Sequence, residues 1–430
     1  MTVQHGISPD RVEKTLEQLL QAGFDQAMVV SVHDEMDELS INHNQPSMLR
    51  STQSTRLQLT GILDGRKAST ALTHLTEETI ASAVSQLKKD ALLAPQDSAN
   101  QVSTGQRARV EKGPQAGDRM LLTERVRELL AFRQRAAPTF LLEEGQGHYQ
   151  KQQTCLMTSG GSLLESSIGC YGLGVLGSAK DGSGTSSYNE TGGATEELSS
   201  RPAEAYFGIG DMMRDSCLQT ATRPLGEKFV GEVILTPKAV MELLFWLIDQ
   251  LTDTQLLTGS SLYRGKVGER VAASALTIAS HLEGAGASPF TSDGFVAERF
   301  TLMESGTLNA LLPSLYASRK LGLVHRPCDL SSWSLSPGET TLEHLTSQVK
   351  RGALVGRLSM GQPAPNGDFA GVIKNSFLVE NGEQKGALAE VMISGNVAQM
   401  MNNIEAISRE SLDFGELALP WLRISGLSFS

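Results

Sequence analysis

The chain has 430 residues, 40% hydrophobic and 20% charged, with a formal net charge of −11. That length favours two or three domains over one core, and the acidic balance, with no Lys/Arg run beyond two or three residues, argues against a nucleic-acid partner. The longest apolar run, Leu243 to Ile248, is far too short to cross a membrane. The opening MTVQHGISPDRVEK is polar and has no signal-peptide pattern, so a soluble cytoplasmic protein is expected.

Ser8-Pro9-Asp10 reads as a helix start, Val12, Leu16, Leu19 and Leu20 supply its apolar stripe, and Gly23 stops it. Strands are expected at about 27–33 and 37–43. A hairpin follows, turning on Asp64-Gly65 between alternating strands. A second helix spans about 76–92, with Glu77 and Glu78 in its first turn. Residues 95–118 are polar and rich in Gln, Ser and Gly and read as a linker. A helix at 119–136, strands near 139–144 and 147–158, and a glycine- and serine-rich loop at 169–193 are expected next. A helix at about 202–220 closes that unit.

The segment VGEVILTPKAVMELLFWLIDQL reads as a strand leading into a helix, with Thr236 at N-cap and Pro237 at N1. Lys238, Glu242 and Asp249 share one side of that helix, and the leucine stripe takes the other. Lys238 and Glu242, four residues apart, are expected to pair. Mainly strands follow, with a turn at Asn381-Gly382, a helix at about 397–408 and a last strand at LPWLRISGL. Clustered hairpins and helices predict an α+β fold. Its parts are an N-terminal α/β unit (1–94), a linker (95–118), a middle α+β region (119–225) and a large C-terminal mainly antiparallel unit (226–430).

Chemical motifs are sparse. Gly172, Gly174 and Gly177 match GxGxxG, but no helix is expected behind them to hold a pyrophosphate. GSSLYRGKV has five residues between Gly259 and Gly265 and Val267 where a phosphate loop needs Ser or Thr. None of the eight histidines (His5, His33, His43, His74, His148, His281, His325, His344) has a second histidine at helical spacing, and HExxH and HExxxH are absent. The cysteines Cys155, Cys170, Cys217 and Cys328 form no CxxC and are expected as free thiols. Ser292-Asp293 and Arg319-Lys320 are polar pairs to which no mechanism attaches.

One long stretch is more specific. Residues 364–408 read APNGDFAGVIKNSFLVENGEQKGALAEVMISGNVAQMMNNIEAIS. The order GDF, ENGE, hydrophobic strand, SGN and a NIEAIS ending resembles the C-terminal signature of the TldD/PmbA family. TSDGFVAERFTLMESGTLNALLPSLYASRKLGL and GKVGERVAASALTI resemble further family segments in the same order. The resemblance implies a cytoplasmic protein working as a paired subunit in peptide maturation or turnover, in a family also linked by name to modulation of DNA gyrase. In that family the TldD subunit carries HExxxH, with a cysteine nearer the C-terminus completing the zinc site. Here the corresponding helix holds no histidine, and no cysteine follows Cys328. The resemblance is therefore to the PmbA (TldE) side, and it implies no catalytic, cofactor-binding or metal-ligating residue in this chain. Zinc is expected only in a TldD-like HExxxH partner, and an extended peptide is the expected substrate. Without metal, Glu242 has no water to activate and reads as a helix-surface residue. The alternative is a non-catalytic homodimeric peptide-binding protein of the same fold.

Overall fold

The computed structural model describes residues 9–430. Helix α1 (Pro9–Gln21) begins at the expected proline, and Ser8 lies outside the described residues. Strand β1 runs unbroken over Gln26–Asn42, so the two short strands expected there are one. Strand β2 (Gln45–Leu63) folds back on it, and β3 (Arg66–Leu72) follows the Asp64-Gly65 turn. Both turn residues have positive φ, 50° and 70°, as a type I′ turn requires. Helix α2 (Glu77–Leu93) starts at Thr76, whose hydroxyl accepts from the Thr79 N–H.

The segment expected as a linker is built into the fold. Residues 107–112 form β4, which pairs in parallel with residues 163–168. Polar composition alone does not set a strand free when a sheet edge is there to satisfy its backbone. Helix α3 (Arg119–Ala136) is capped by Asp118. Strands β5 (Phe140–Thr158) and β6 (Leu163–Asp181) are each 19 residues long. β5 thus merges two expected strands, and β6 with β7 (Gly184–Thr185) and β8 (Asn189–Thr195) replaces most of the expected glycine-rich loop. The sheet order is β3-β2-β1-β5-β6-β4, with β7 and β8 also on β6. The first ninety residues and the middle region therefore share one sheet. The helix expected at 202–220 is shorter, α4 (Ile209–Leu218), after a single 3-10 turn.

Periodicity of two sorts this sheet into faces. Ala27, Val29, Leu57, Leu59 and Cys155 meet Val12, Leu16 and Leu19 of α1 and Ile80, Val84 and Leu87 of α2. Leu39, Ile41, Tyr149 and Leu173 meet Leu122, Val126 and Leu129 of α3. All the sheet residues in these contacts are odd-numbered. The even-numbered face turns toward the C-terminal half.

That half is a second sheet of 13 strands, mostly antiparallel. At its centre residues 417–429 pair with β9 (Phe229–Leu235). Helix α5 (Pro237–Leu251) begins at Thr236 and Pro237 as expected and buries Val240, Leu243, Leu244 and Leu247. Short helices at 253–258, 315–321 and 342–347 break up the region expected to be mainly strand. The helix expected at 397–408 stops at Asn402, and residues 404–413 are strand.

Candidate functional site

The even face of the first sheet is the floor of a trough. Four cavities of 410, 540, 430 and 390 Å³ lie end to end, the last three along that floor and the first lined by the C-terminal half alone. The first two share Phe290, Thr291 and Ser292. The second and third share His148, Ala194 and Glu416. The third and fourth share Gln146, Gly174 and Gly192.

Strand register builds the floor. Gln146, His148, Gln150, Gln152 and Thr154 alternate along β5. Arg56 of β2 lies opposite Val32 of β1, which lies opposite Thr154, which lies opposite Ser166 of β6. The four residues form one row across the sheet. Toward β8 the side chains give way to glycine. A Cβ added at Gly174 would meet nothing nearer than 4.0 Å, so the backbone itself is open to the trough there.

The opposite wall is the loop around residues 284–292. Lys112 of β4 fixes it by donating to the carbonyls of Leu282 (2.8 Å) and Gly284 (2.6 Å). Burial pushes the Lys112 amine below its ordinary value, and the Glu196 carboxylate opposes that shift. Phe290 and Val296 pack with Met28, Ile62, Val102 and Leu156, an apolar seam that holds the wall to the sheet.

His148 and Glu416 stand where the second and third cavities meet. The His148 ring lies against Gly172, where an added Cβ would come within 2.2 Å of Cε1. Burial pushes the His148 pKa down, so the ring is neutral at pH 7. Burial pushes the Glu416 carboxyl up, and the charge of Asp329 adds to it. The glycines that resembled a dinucleotide loop thus lie in a strand. Gly172 makes room for an imidazole, and Gly177 lies against the Leu141 carbonyl, 2.0 Å from where its Cβ would stand.

The residues singled out from sequence are scattered. Glu242 is exposed on α5 and lines none of the four cavities. Burial raises its carboxyl, with Lys238 and Arg357 opposing. Lys238 does not pair with it. Its amine lies 3.7 Å from Glu190 of β8, because the strand carboxylate comes closer than the next turn of the helix. Ser292 and Asp293 line the far end of the trough. Asp293 accepts from the Leu315 N–H (2.7 Å), from the Thr291 hydroxyl and from His325 (3.3 Å). Lys320 and Tyr316 both hold Asp97, at 2.6 and 3.0 Å, which brings that carboxyl down to about 2. Arg319 is exposed.

Among the described residues the side-chain donors do not fit a zinc ion. On α5, Trp246 packs edge-on to Tyr263, and Gln250 accepts from the Leu262 N–H through its amide oxygen. His33 pairs with Thr55, and His281 and His325 each face a single carboxylate. Among the described residues no three His, Cys, Asp or Glu side chains converge. No helix among them is long and apolar enough to cross a membrane.

The β5 row was missed by sequence reasoning. Its signal was the alternation in GQGHYQKQQT, where polar residues face the trough while Gly147 and Tyr149 face α3.

Comparison with known proteins places these features. Residues 229–430 match the model of the PmbA/TldA metallopeptidase C-terminal domain. The chain is 29% identical to "Metalloprotease PmbA" of Escherichia coli O157:H7 over 187 residues, 40% of this chain and 41% of that one. It is 24% identical to a "Metalloprotease" of Methanothermobacter thermautotrophicus over 277 residues, 60% of this chain and 61% of that one. These alignments thus span less than two thirds of the curated relatives. The fold matches the crystal structure of TldE from Thermococcus kodakarensis with a TM-score of 0.84 at 18% identity, covering 98% of this chain and all of that one.

Proposed function

The chain carries the PmbA/TldA metallopeptidase C-terminal domain and has the fold of TldE, and on that premise we propose that it is the metal-free subunit of a two-subunit zinc peptidase acting on unfolded peptides in the cytoplasm. Its partner is a TldD-like chain that carries HExxxH and the zinc. This subunit's part is to hold an extended segment while the partner cuts it.

The observation that carries the reading is the trough. Its floor is strand backbone and amide side chains, which suit a polypeptide whose own sequence varies. The strand edge beside it adds support. β3 covers only residues 57–63 of β2, so the edge from Gln45 to Thr55 pairs with β1 alone. Such an edge accepts another extended strand through its backbone groups. In this reading the zinc-bound water belongs to the partner, in keeping with the lack of three converging His, Cys, Asp or Glu side chains among the described residues.

The test is reconstitution. The chain and a TldD-like HExxxH protein should co-elute, and the mixture should cleave an unfolded peptide. Chelation should abolish the cleavage and added zinc restore it. Cleavage by this chain alone, or full activity of the partner without it, would overturn the proposal.

A further inference from the structure

The 540 Å³ cavity at the middle of the trough carries opposite charges at its two ends. Arg56 of β2 stands toward one end, one row in from the Val30–Gln58–Leu156 row, and Glu416 toward the other. Neither joins any ion pair among the described residues, although twenty-one such pairs form elsewhere. Gln150 lies between them with no side-chain partner, as does Gln152, which donates to Asp34 and so keeps its carbonyl oxygen open, while Gln58 stands one row beyond Arg56. A guanidinium and a carboxylate left without partners in one concave site are complementary to a zwitterion. The amides between them are complementary to peptide groups.

The spacing sets the ligand's length. Arg56 is level with Ser166 across three strand spacings. Glu416 lies beside Cys170, whose thiol is pushed up to about 11 by burial and by that carboxylate's charge. Strands about 4.8 Å apart and a rise of about 3.3 Å per residue place the two ends roughly 20 Å apart at the backbone. The two side chains reach inward and leave about 10 Å, the span of about three extended residues. The volume also falls in the range of small-ligand sites.

We propose that this cavity binds a short peptide, about three or four residues long, by its two free ends. Arg56 takes the terminal carboxylate and Glu416 the terminal ammonium. The inference rests on the reading that the trough holds polypeptide. It adds that one stretch of the trough selects short peptides with both ends free, the form in which proteolytic fragments leave a peptidase. Long unfolded chains lie across the same floor without engaging both charges at once.

Titration calorimetry on the full chain tests this with tetra-alanine, its N-acetylated form, its C-amidated form and a long unfolded peptide. Tetra-alanine should bind, and each cap should weaken binding at least about tenfold, the scale of one charge-assisted contact. Arg56→Gln should bind the free and amidated forms equally, and Glu416→Gln should bind the free and acetylated forms equally. Equal binding of capped and free peptides by the unaltered chain would overturn the inference. So would binding of the long peptide with none of tetra-alanine, a result that leaves the proposed function standing. Binding of neither would remove both.

Discussion

Asp293 offers a test of whether the family-like loop at 291–295 is chemistry or scaffolding. Its carboxylate is mostly buried and meets three donors: the Leu315 N–H at 2.7 Å, the Thr291 hydroxyl and His325 at 3.3 Å. Burial pushes its pKa up, but hydrogen bonds from His325, Thr291 and Leu315 outweigh burial and hold it below the ordinary value. Asp293→Ala leaves the Leu315 N–H and the His325 ring facing a hole. At about 1–3 kcal/mol for each buried group left without a partner, the cost is about 3 kcal/mol. Spread over the unfolding entropy of a chain this long, that corresponds to a fall in melting temperature of roughly 3 °C. The pH dependence has a definite sign. A folded carboxyl titrating below its unfolded value stabilises fully above about pH 4, and the contribution fades as pH falls through the lowered folded value. The gap between the unaltered chain and Asp293→Asn should therefore narrow in acid. Calorimetric melting from pH 7 down to about 3 reads both effects. A melting temperature within about 1 °C of the parent at pH 7 would refute the reasoning. Unchanged stability with lost partner-dependent activity would instead assign the carboxylate a chemical role.

Two further outcomes follow from packing. Gly169→Ala places a Cβ 1.7 Å from the Pro114 carbonyl oxygen, a backbone clash that no rotamer relieves. It should cost more than about 2 kcal/mol and speed protease cleavage near residues 113–118, and an unchanged digestion pattern would contradict the seating of that segment on β6. Burial pushes the thiols of Cys155 and Cys328 up to about 12 and that of Cys170 to about 11. The native chain should therefore give up about one thiol, Cys217, to a thiolate-selective reagent at pH 8, and the other three only on unfolding. Rapid reaction of all four would mean a looser core than the structure has.

Much of the architecture was legible because its signals are local. Thr236-Pro237 starts α5, and Asp64-Gly65 and Asn381-Gly382 turn hairpins with positive φ at both residues. What escaped was long-range. β4 looks like a linker because its partner lies 56 residues further on. Residues 169–193 look like a loop because glycines in a strand are usually a weakness. Here they are spaces occupied by an imidazole, a carbonyl and open trough. The trough was invisible for the same reason. Its Arg56, His148, Ser166 and Glu416 are far apart in sequence and become neighbours only through strand register. The Lys238–Glu242 pair failed because Glu190, on another strand, reaches the lysine.

The pairing of β1 with β5 bears on how the chain folds as it is made. β1 lies between β2 and β5, but β5 ends at Thr158, more than a hundred residues after β1 is complete. At ribosomal speeds of about 5–20 residues per second, one long edge of β1 stays without its partner for roughly ten seconds. During that interval the backbone donors and acceptors along one edge of a 17-residue strand face the cell with nothing of their own to bind. A fragment cut after the second helix would keep that edge bare permanently, and its fate would be association with other strands rather than a small folded domain.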